Sequence, residues 1–247
     1  MQQYEAVLPL QLKELKLSEI NRCWIQQQEA GIKESWPYGK FLSILCELEM
    51  QKRHSSRLKR RIQESSLPKD KTLSSFDFSK SPKINACQIK ALADTDSWIK
   101  RASNIIIFGP SGVGKSHIAA AIGYRQIELG GKVKFWSTSH IVQLLQQAKI
   151  QFRLKELLIK LDKIPLLILD DFGYMKKDDH ETGVLFELIC QRYENSSLII
   201  TANQPFSQWD SIFPDNMMAV AAIDRLVHHA TIINIEGESY RVNNQTN

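Results

Sequence analysis

Residues 105–122 read IIIFGPSGVGKSHIAAAI, and the fold prediction starts from this segment. Four apolar residues form a short strand pattern, a glycine-rich turn follows, and the residues after the turn favour a helix. A strand, a Gly-x-x-x-x-Gly-Lys-Ser turn and a helix in this order are typical of the phosphate-binding P-loop. A chance match is expected in about one per cent of chains of this length. The stretch therefore predicts a site for a nucleoside triphosphate.

Each residue type in the turn has a physical reason. Glycines let the backbone adopt conformations that side chains forbid, so successive N–H groups can point at phosphate oxygens, and the helix N-terminus adds to the attraction. Lys115 is predicted to reach the β- and γ-phosphates, and Ser116 to place its hydroxyl on Mg²⁺. The residues predicted to bind the nucleotide here are Gly109, Pro110, Ser111, Gly112, Val113, Gly114, Lys115, Ser116 and His117.

The composition is that of an ordinary globular protein. The chain is 43% hydrophobic and 24% charged. Its length of 247 residues is sufficient for one large domain or for a core domain with a small appendage. No apolar run reaches the roughly 18 residues that a membrane span needs, so we expect no membrane partner. The four cysteines are widely spaced with no Cys-x-x-Cys pair, which favours reduced thiols in a cytoplasmic protein.

The positive charge is concentrated in one segment. Residues 51–61, QKRHSSRLKRR, contribute a charge of +6. Since the net charge of the whole chain is +5, the remaining residues sum to −1. A local patch of this kind is the electrostatic footprint of a polyanionic partner, although a solvated helix face gives the same pattern. The residues predicted to contact DNA are Lys52, Arg53, Arg57, Lys59, Arg60 and Arg61.

Periodicity predicts two regions of different architecture. Helical patterns cover residues 7–25, ended by Gly31, and about 38–63, so residues 1–70 are expected to form a small helical module. A lead-in with a helix at 86–99 follows. From residue 105 onward, strands alternate with helices, which predicts an α/β domain at 71–247 with a doubly wound, mostly parallel sheet. The strands are expected at 105–108, 132–136, 166–171, 198–203 and 231–235, and the helices after the P-loop at 140–149, with Thr138 or Ser139 as the cap, and at 152–161, 182–193 and 217–227.

Polar residues follow two of the apolar strands. Asp170 and Asp171 end the run LLILDD, and Asn203 ends the next strand. Ligands bind at the carboxyl ends of parallel strands. Asp170 is predicted to hold the hydration shell of Mg²⁺, and Asp171 to orient or deprotonate the attacking water. Asn203 is a candidate for contacting the γ-phosphate or the water, although asparagine also occurs at strand exits for turn reasons alone.

Two arginines near the C-terminus are candidates for stabilising charge in the transition state. Arg225 lies in AAIDRL and Arg241 in SYR. A solvated arginine paired with a neighbour such as Asp224 is the alternative. His228 and His229 are adjacent, but the chain offers no third ligand at a suitable spacing, so no metal site is predicted there.

Several sequence boxes resemble those of the IstB-type transposition helper ATPases of bacterial insertion sequences. They are, in order, KTLSSFDFSKSP at residues 71–82, GPSGVGKSHIAAAIG at 109–123, LLILDDFGY at 166–174, and the forty-odd residues from 198 to 241. The likeness extends from about residue 38 to 241, and residues 1–37 match less clearly. The same core is similar to that of the bacterial helicase loaders and the replication initiator ATPase, all within the AAA+ class.

The resemblance implies roles at matching positions. Asp170 and Asp171 correspond to the Walker B pair, Asn203 to sensor 1, and Arg225 to an arginine finger that acts on ATP held by the neighbouring subunit. Arg241 is similar to a sensor 2 arginine and would contact the nucleotide. ATP and Mg²⁺ are the implied cofactors.

The expected function is that of an ATP-dependent helper that oligomerises on duplex DNA, largely independently of sequence, and recruits a transposase, with hydrolysis as the reset. DNA phosphates would be held by the 51–61 patch and by basic residues of 149–163. Two alternatives remain open at this stage: a replicative helicase loader with the same ATPase core, and a DNA-binding scaffold that senses ATP and hardly hydrolyses it.

Overall fold

The computed structural model describes residues 3–81, 84–172, 179–205, 208–209 and 216–237. The chain forms two compact units, one ending at Arg60 and the other beginning at Arg61. The domain boundary predicted from the sequence, between residues 70 and 71, lies later in the chain. In the part of the chain that is described, no helix is both long enough and apolar enough to cross a lipid bilayer.

The first unit is helical. It contains α1 (Gln3–Glu14), α2 (Ser18–Lys33) and most of α3 (Tyr38–Ser65). Its core is small, because an amphipathic helix buries only one stripe. The buried side chains of this core are Leu12, Ile20, Cys23, Trp24 and Leu45.

The single helix predicted over residues 7–25 is wrong, since two helices occupy that region. Lys16 has a left-handed φ of 57°, and the Leu17 N–H donates to the Leu12 carbonyl at 2.9 Å. This is the geometry of a Schellman motif, which ends α1 and turns the chain into α2. The predicted end at Gly31 is also wrong, because α2 continues to Lys33. Lysine is uncommon at a left-handed helix end, so the residue type at position 16 does not mark the end of a helix.

A buried glutamate of α3 caps the start of α2. Glu49 is 4% exposed, and its Oε2 accepts the Glu19 and Ile20 N–H groups at 2.8 and 3.2 Å. The Arg53 Nε donates to the other oxygen at 2.8 Å. Burial acts against ionisation of the Glu49 carboxyl, but the hydrogen bonds from Arg53 and from the two amides outweigh it and hold the pKa of Glu49 below its ordinary value. The first turn of α2 is therefore held by a charge on another helix.

We expect Glu49→Gln to loosen the start of α2, because the amide keeps one oxygen but loses the negative charge. Hydrogen bonds to a charged group contribute about 1.5–3 kcal/mol, so amide hydrogen exchange in α2 should accelerate about tenfold or more at neutral pH. Since the pKa of Glu49 is lowered in the folded state, its contribution is present above its ordinary pKa of 4.5 and is lost as the pH falls below that value. The exposed Glu47 of the same helix supplies the control, Glu47→Gln, which should leave exchange in α2 unchanged. Equal exchange in both variants would contradict the capping role.

The second unit is built on a five-stranded sheet in which every pair of neighbouring strands is parallel. The order across the sheet is β2-β3-β4-β1-β5. Ile106 of β1 lies opposite Ile200 of β4 and Ile232 of β5, so the P-loop strand has a neighbour on each side. The strands are β1 (Asn104–Phe108), β2 (Val133–Ser137), β3 (Leu166–Phe172), β4 (Ser197–Ala202) and β5 (Ala230–Asn234).

Helices cover both faces of the sheet, which confirms the predicted doubly wound α/β fold. Ile106 and Phe108 pack into a core shared with α7, α8, α9 and α10. On the other face α6 lies so close that a Cβ on Gly123 would come within 2.8 Å of Ile168 Cδ1. The helices of this unit are a 3-10 turn (Phe78–Lys80), α4 (Ala86–Ala93), α5 (Ser97–Lys100), α6 (Lys115–Glu128), α7 (Thr138–Ile150), α8 (Leu154–Asp162), α9 (Asp179–Arg192) and α10 (Asn216–Val227).

Two local predictions in this unit are wrong. The helix expected at 86–99 is divided into α4 and α5. The cap of α7 is Ser137, whose hydroxyl accepts the His140 N–H at 3.3 Å, and neither Thr138 nor Ser139 takes this position. Thr138 instead directs its hydroxyl to the carbonyl of Asp170 at 2.9 Å. The first residue of α7 is thus joined to β3 by a tertiary hydrogen bond.

A buried arginine, Arg192, bonds backbone groups at the end of α8 and at the starts of β3 and β4. The Arg192 side chain donates to the carbonyls of Leu161, Ile164 and Ser197 at 3.0, 3.0 and 2.8 Å, and the residue is 1% exposed. Burial lowers the pKa of Arg192 to about 10. These carbonyls lie at the end of α8, just before β3 and at the start of β4. One cation therefore holds the start of β3, which contains the acid pair, and the start of β4, which Asn203 follows.

Candidate functional site

The glycine-rich turn is closed in by its neighbours. A Cβ on Gly109 would lie 2.2 Å from the carbonyl oxygen of Ile235, and Gly109 has a φ of 150°. Gly114, the residue before α6, has a left-handed φ of 98°, and a Cβ there would lie 2.7 Å from Phe76 Cε2. Both positions therefore exclude every side chain, and the turn exposes its backbone at the N-terminus of α6, where anions bind.

The P-loop lysine is almost completely buried. Lys115 is 5% exposed, and its Nζ donates to the carbonyls of Gly109 and Pro110 at 2.8 and 2.7 Å. A buried ammonium is costly unless polar groups or an anion compensate it. The turn supplies carbonyl oxygens on one side and a cavity on the other, which is the arrangement that a phosphate group fits.

The cavity has a volume of about 490 Å³ and brings together three separate parts of the chain. It unites the P-loop, the acid pair and the residue after β4, as the sequence predicted from their position at one edge of the sheet. The predicted residues Gly109, Pro110 and Val113 do not line it, and they form the body of the turn instead. The lining residues are Lys71, Ser111, Gly112, Gly114, Lys115, Ser116, His117, Asp170, Asp171 and Asn203.

The acid pair closes β3, opposite the P-loop. Asp170 is half-buried, Asp171 is exposed, and both line the cavity. With the hydroxyl of Ser116, the carboxylate of Asp170 provides the oxygen ligands that Mg²⁺ prefers. Asn203 follows β4 directly and lines the same cavity. The donor set thus fits a magnesium-bound nucleotide, with hard oxygen ligands, a buried cation and a helix N-terminus around one space.

The segment before the sheet forms a further wall that the sequence did not assign to the site. His117 Nε2 lies 2.9 Å from the carbonyl oxygen of Thr72 and 3.2 Å from Ser75 Oγ, and its ring packs edge-on against Phe76. Lys71 lines the cavity. No periodicity or motif marks Lys71, and only the resemblance of the 71–82 box drew attention to this segment.

Arg225 does not line the cavity of its own chain. Its Nη1 donates to the carbonyl of Ala221 at 2.8 Å, and its guanidinium lies over the rings of Phe186 and Tyr193, 5.6 and 6.0 Å from their centroids. The alternative of pairing with Asp224 is not what the structure shows. Arg241, the second predicted arginine, lies outside the described residues.

The predicted DNA residues divide into two groups. Arg53 is engaged, because it bonds Glu49 and the carbonyl of Lys16, and Arg61 donates to the carbonyl of Gly130. Lys52, Arg57, Lys59 and Arg60 are exposed on α3. In the 149–163 region, Lys149 pairs with Glu187 at 3.3 Å and Arg153 with Glu156 at 3.7 Å.

A basic groove of about 640 Å³ lies in the helical unit. It contains Lys16, which the sequence did not single out because it is far from the 51–61 patch in the chain. Lys59 and Arg61 are not part of this groove. Its lining residues are Leu15, Lys16, Ser18, Glu49, Lys52, Arg53, Ser56, Arg57 and Arg60.

The adjacent histidines gain a third potential ligand that the sequence spacing did not show. One ligand atom each from Glu194, His228 and His229 lies within 4.8 Å of the others, on the exposed surface. Tyr193 Oη lies 3.1 Å from His228 Nδ1. This cluster sits before β5, at the opposite edge of the sheet from the cavity, and is therefore separate from the nucleotide site.

A parallel sheet in the order β2-β3-β4-β1-β5, a P-loop between β1 and α6, and acids at the end of β3 define a P-loop protein of the AAA+ class. Solved structures share this fold. AMPPCP-bound DnaA from Aquifex aeolicus has a TM-score of 0.57 at 18% identity, covering 70% of this chain and 52% of that one. The DnaC helicase loader has a TM-score of 0.54 at 19% identity, covering 68% and 97%. At these identities the likeness concerns the fold alone.

The chain belongs to the family described as IstB-like ATP binding protein, which matches residues 10–247. An insertion sequence ATP-binding protein of Sinorhizobium fredii is 49% identical over 96% of this chain and 80% of its own length. The ATP-binding protein of insertion sequence IS21 from Pseudomonas aeruginosa is 35% identical over 95% of this chain and 88% of its own length. The resemblance seen in the sequence boxes is therefore confirmed.

Proposed function

We propose that this chain is a Mg²⁺-dependent ATPase that assembles on duplex DNA in its ATP state and supports transposition of an insertion sequence by recruiting the transposase. The proposal depends on one observation. The P-loop, Asp170, Asp171 and Asn203, which come from distant parts of the chain, line a single cavity of about 490 Å³. The relatives named as insertion sequence ATP-binding proteins supply the biological context. The four free cysteines agree with a cytoplasmic setting.

The residues of the cavity have distinct roles in this proposal. Lys115 and the N–H groups of the turn hold the phosphates, and Ser116 and Asp170 would hold Mg²⁺, which supplies positive charge where phosphate oxygens become more negative. Asp171 accepts the proton of the attacking water. Asn203 orients that water or the terminal phosphate. Lys71, on the lead-in segment, adds a second cation to the cavity.

The position of Arg225 supports an active site shared between subunits. Because this arginine lies outside the cavity of its own subunit, a role in hydrolysis requires the cavity of a neighbouring copy. ATP binding and assembly are then thermodynamically linked, since each favours the other. Mass measurement of the protein with an ATP analogue and duplex DNA tests this step, and a protein that stays monomeric under both conditions would refute it.

The basic groove of the helical unit is the proposed contact for DNA phosphates. Lys16, Lys52, Arg57 and Arg60 surround it, and contacts of this kind carry no sequence information. Each neutralised phosphate adds about 0.9 to the slope of log affinity against log salt concentration. A strong salt dependence is therefore expected, whereas a flat one would favour a solvated helix face.

We expect the double variant Lys52→Glu, Arg57→Glu to bind duplex DNA at least about 30-fold more weakly and to lower the salt slope by about two. The reason is the loss of two phosphate contacts together with repulsion from two new carboxylates. Fluorescence anisotropy at several salt concentrations gives both quantities. Lys33, exposed at the end of α2 and outside the groove, supplies the matched control Lys33→Glu, which should change neither. An unchanged slope in the double variant would remove the groove from the proposal.

Measured phosphate release with and without Mg²⁺ and duplex DNA tests the enzyme itself. DNA-stimulated release is expected, and release at the uncatalysed rate would favour the ATP-sensing scaffold. A transposition assay with the transposase of the same insertion sequence separates the helper role from helicase loading. Stimulation of strand transfer only in the presence of hydrolysable or analogue ATP is the expected result.

A further inference from the structure

The pairing of β3 with β4 breaks at the acid pair. Leu169 lies opposite Ile200, and the next aligned pair is Phe172 with Ala202. Two residues of β3, Asp170 and Asp171, therefore face the single residue Thr201 of β4. An extra residue on one strand is a β-bulge, which bends the strand and changes the direction of its side chains. Asp171 has a left-handed φ of 57°, as one residue of such an irregularity does.

The bulge explains how both acids reach one cavity. In a regular strand, neighbouring side chains point to opposite faces of the sheet, so only one of two consecutive aspartates would face a given side. Here Asp170 and Asp171 both line the cavity that the P-loop closes. The local distortion of β3 thus places two consecutive carboxylates in the same space.

The hydroxyl of Thr201 fills the gap that the bulge leaves in the ladder. Thr201 is fully buried, at 0% exposure. Its Oγ1 accepts the Asp171 N–H at 3.0 Å, and it donates to Asp170 Oδ1 at 2.5 Å. One hydroxyl therefore holds the backbone of the second acid and the carboxylate of the first. A donated hydrogen bond of this kind fixes the rotation of the Asp170 carboxylate and leaves its second oxygen for the cavity.

We propose that Thr201 is a positioning residue, which sets the bulge and orients Asp170 toward a bound divalent cation. This inference deepens the proposed function and rests on it, because it assumes that Asp170 serves the Mg²⁺–nucleotide complex. Thr201 lies on β4, two residues before Asn203, which follows that strand directly. Its hydroxyl thus links the acid pair by hydrogen bonds to β4, the strand that Asn203 follows.

The test compares hydroxyl deletion with hydroxyl retention at this one position. Thr201→Val keeps the branched shape and removes the hydroxyl, Thr201→Ser keeps the hydroxyl, and Thr201→Ala removes the hydroxyl without adding bulk. Ser197 supplies the control Ser197→Ala, since it lies on the same strand and its hydroxyl is buried without a hydrogen-bond partner in the described structure. All four proteins are measured as full chains, with thermal unfolding as a check on folding.

The main readout is the affinity for a fluorescent ATP analogue with Mg²⁺ and with EDTA, which does not depend on turnover. Loss of an interaction that orients a metal ligand typically costs about 10- to 100-fold. We expect Thr201→Val and Thr201→Ala to lose Mg²⁺-dependent affinity and kcat in this range, with affinity in EDTA unchanged. Thr201→Ser and Ser197→Ala should remain close to wild type.

The possible failures are distinguishable. If wild type binds the analogue without any effect of Mg²⁺, the proposed function fails. If wild type shows the Mg²⁺ effect and the folded valine or alanine variant retains it, Thr201 has no positioning role. An equal loss in the serine variant also overturns the inference, because it would assign the effect to packing and not to the hydroxyl.

Discussion

Replacing Arg225 by alanine is expected to lower the rate of ATP hydrolysis by about a thousandfold or more, the range found for arginines that stabilise phosphoryl transfer from a second subunit. ATP binding should persist, because Arg225 does not line the cavity of its own subunit. The measurement is phosphate release with duplex DNA present, together with analogue affinity in the same buffer.

A mixing experiment determines whether Arg225 acts on the neighbouring subunit. Arg225→Ala retains a complete P-loop, and Lys115→Ala retains the arginine, so each is inactive for a different reason. If the site is shared, mixed assemblies contain some complete sites, and turnover should reappear on mixing. Inactivity of the mixture, or undiminished turnover of Arg225→Ala alone, would remove the finger role.

The guanidinium of Arg225 contacts two aromatic rings, and this contact requires a separate control. The guanidinium lies over Phe186 of α9 and over Tyr193, which follows that helix, and cation–π contacts of this kind contribute about 0.5–1 kcal/mol at exposed sites. Arg225→Lys keeps a cation over these rings but loses the planar guanidinium, whose N–H groups match phosphate oxygens. It should therefore preserve the unfolding temperature better than alanine, yet remain poor in hydrolysis.

Asp171→Asn is expected to reduce turnover by about a hundredfold or more, because the amide has the shape of the carboxylate but cannot accept a proton from water. ATP and DNA binding should be retained. The backbone of residue 171 is expected to keep its conformation, since asparagine tolerates a left-handed φ and the N–H bonded to Thr201 is preserved.

Asp170→Asn provides the contrast. Since Asp170 is proposed to hold Mg²⁺, its variant should lose the Mg²⁺ dependence of nucleotide affinity, whereas Asp171→Asn should keep it. Titration of the fluorescent analogue with and without Mg²⁺ separates the two. Loss of ATP binding in Asp171→Asn would show that the two roles have been assigned wrongly.

Much of the fold could be predicted from local sequence. Buried parallel strands appear as unbroken apolar runs, and glycines mark the P-loop, because both depend on interactions within a few residues. Each of the five strands predicted from the sequence therefore lies within one residue of its observed bounds. The errors occur mainly where a group distant in the chain contacts the segment. The cap of α7 is an example: Thr138, one of the two predicted caps, bonds the Asp170 carbonyl instead, and Ser137 takes the capping position.

Local sequence predicts the nucleotide-binding elements and the edge of the sheet at which they meet, because chain order and the carboxyl-end rule for parallel strands suffice for both predictions. The way in which those elements are held depends on contacts between residues far apart in the chain. The hydroxyl of Thr201 opposite the acid pair, the carboxylate of Glu49 at the start of α2, and the guanidinium of Arg192 among four carbonyls each bond groups distant in the chain. Their residue types carry no local signal, since a buried polar group is recognised only by the partners that folding brings to it.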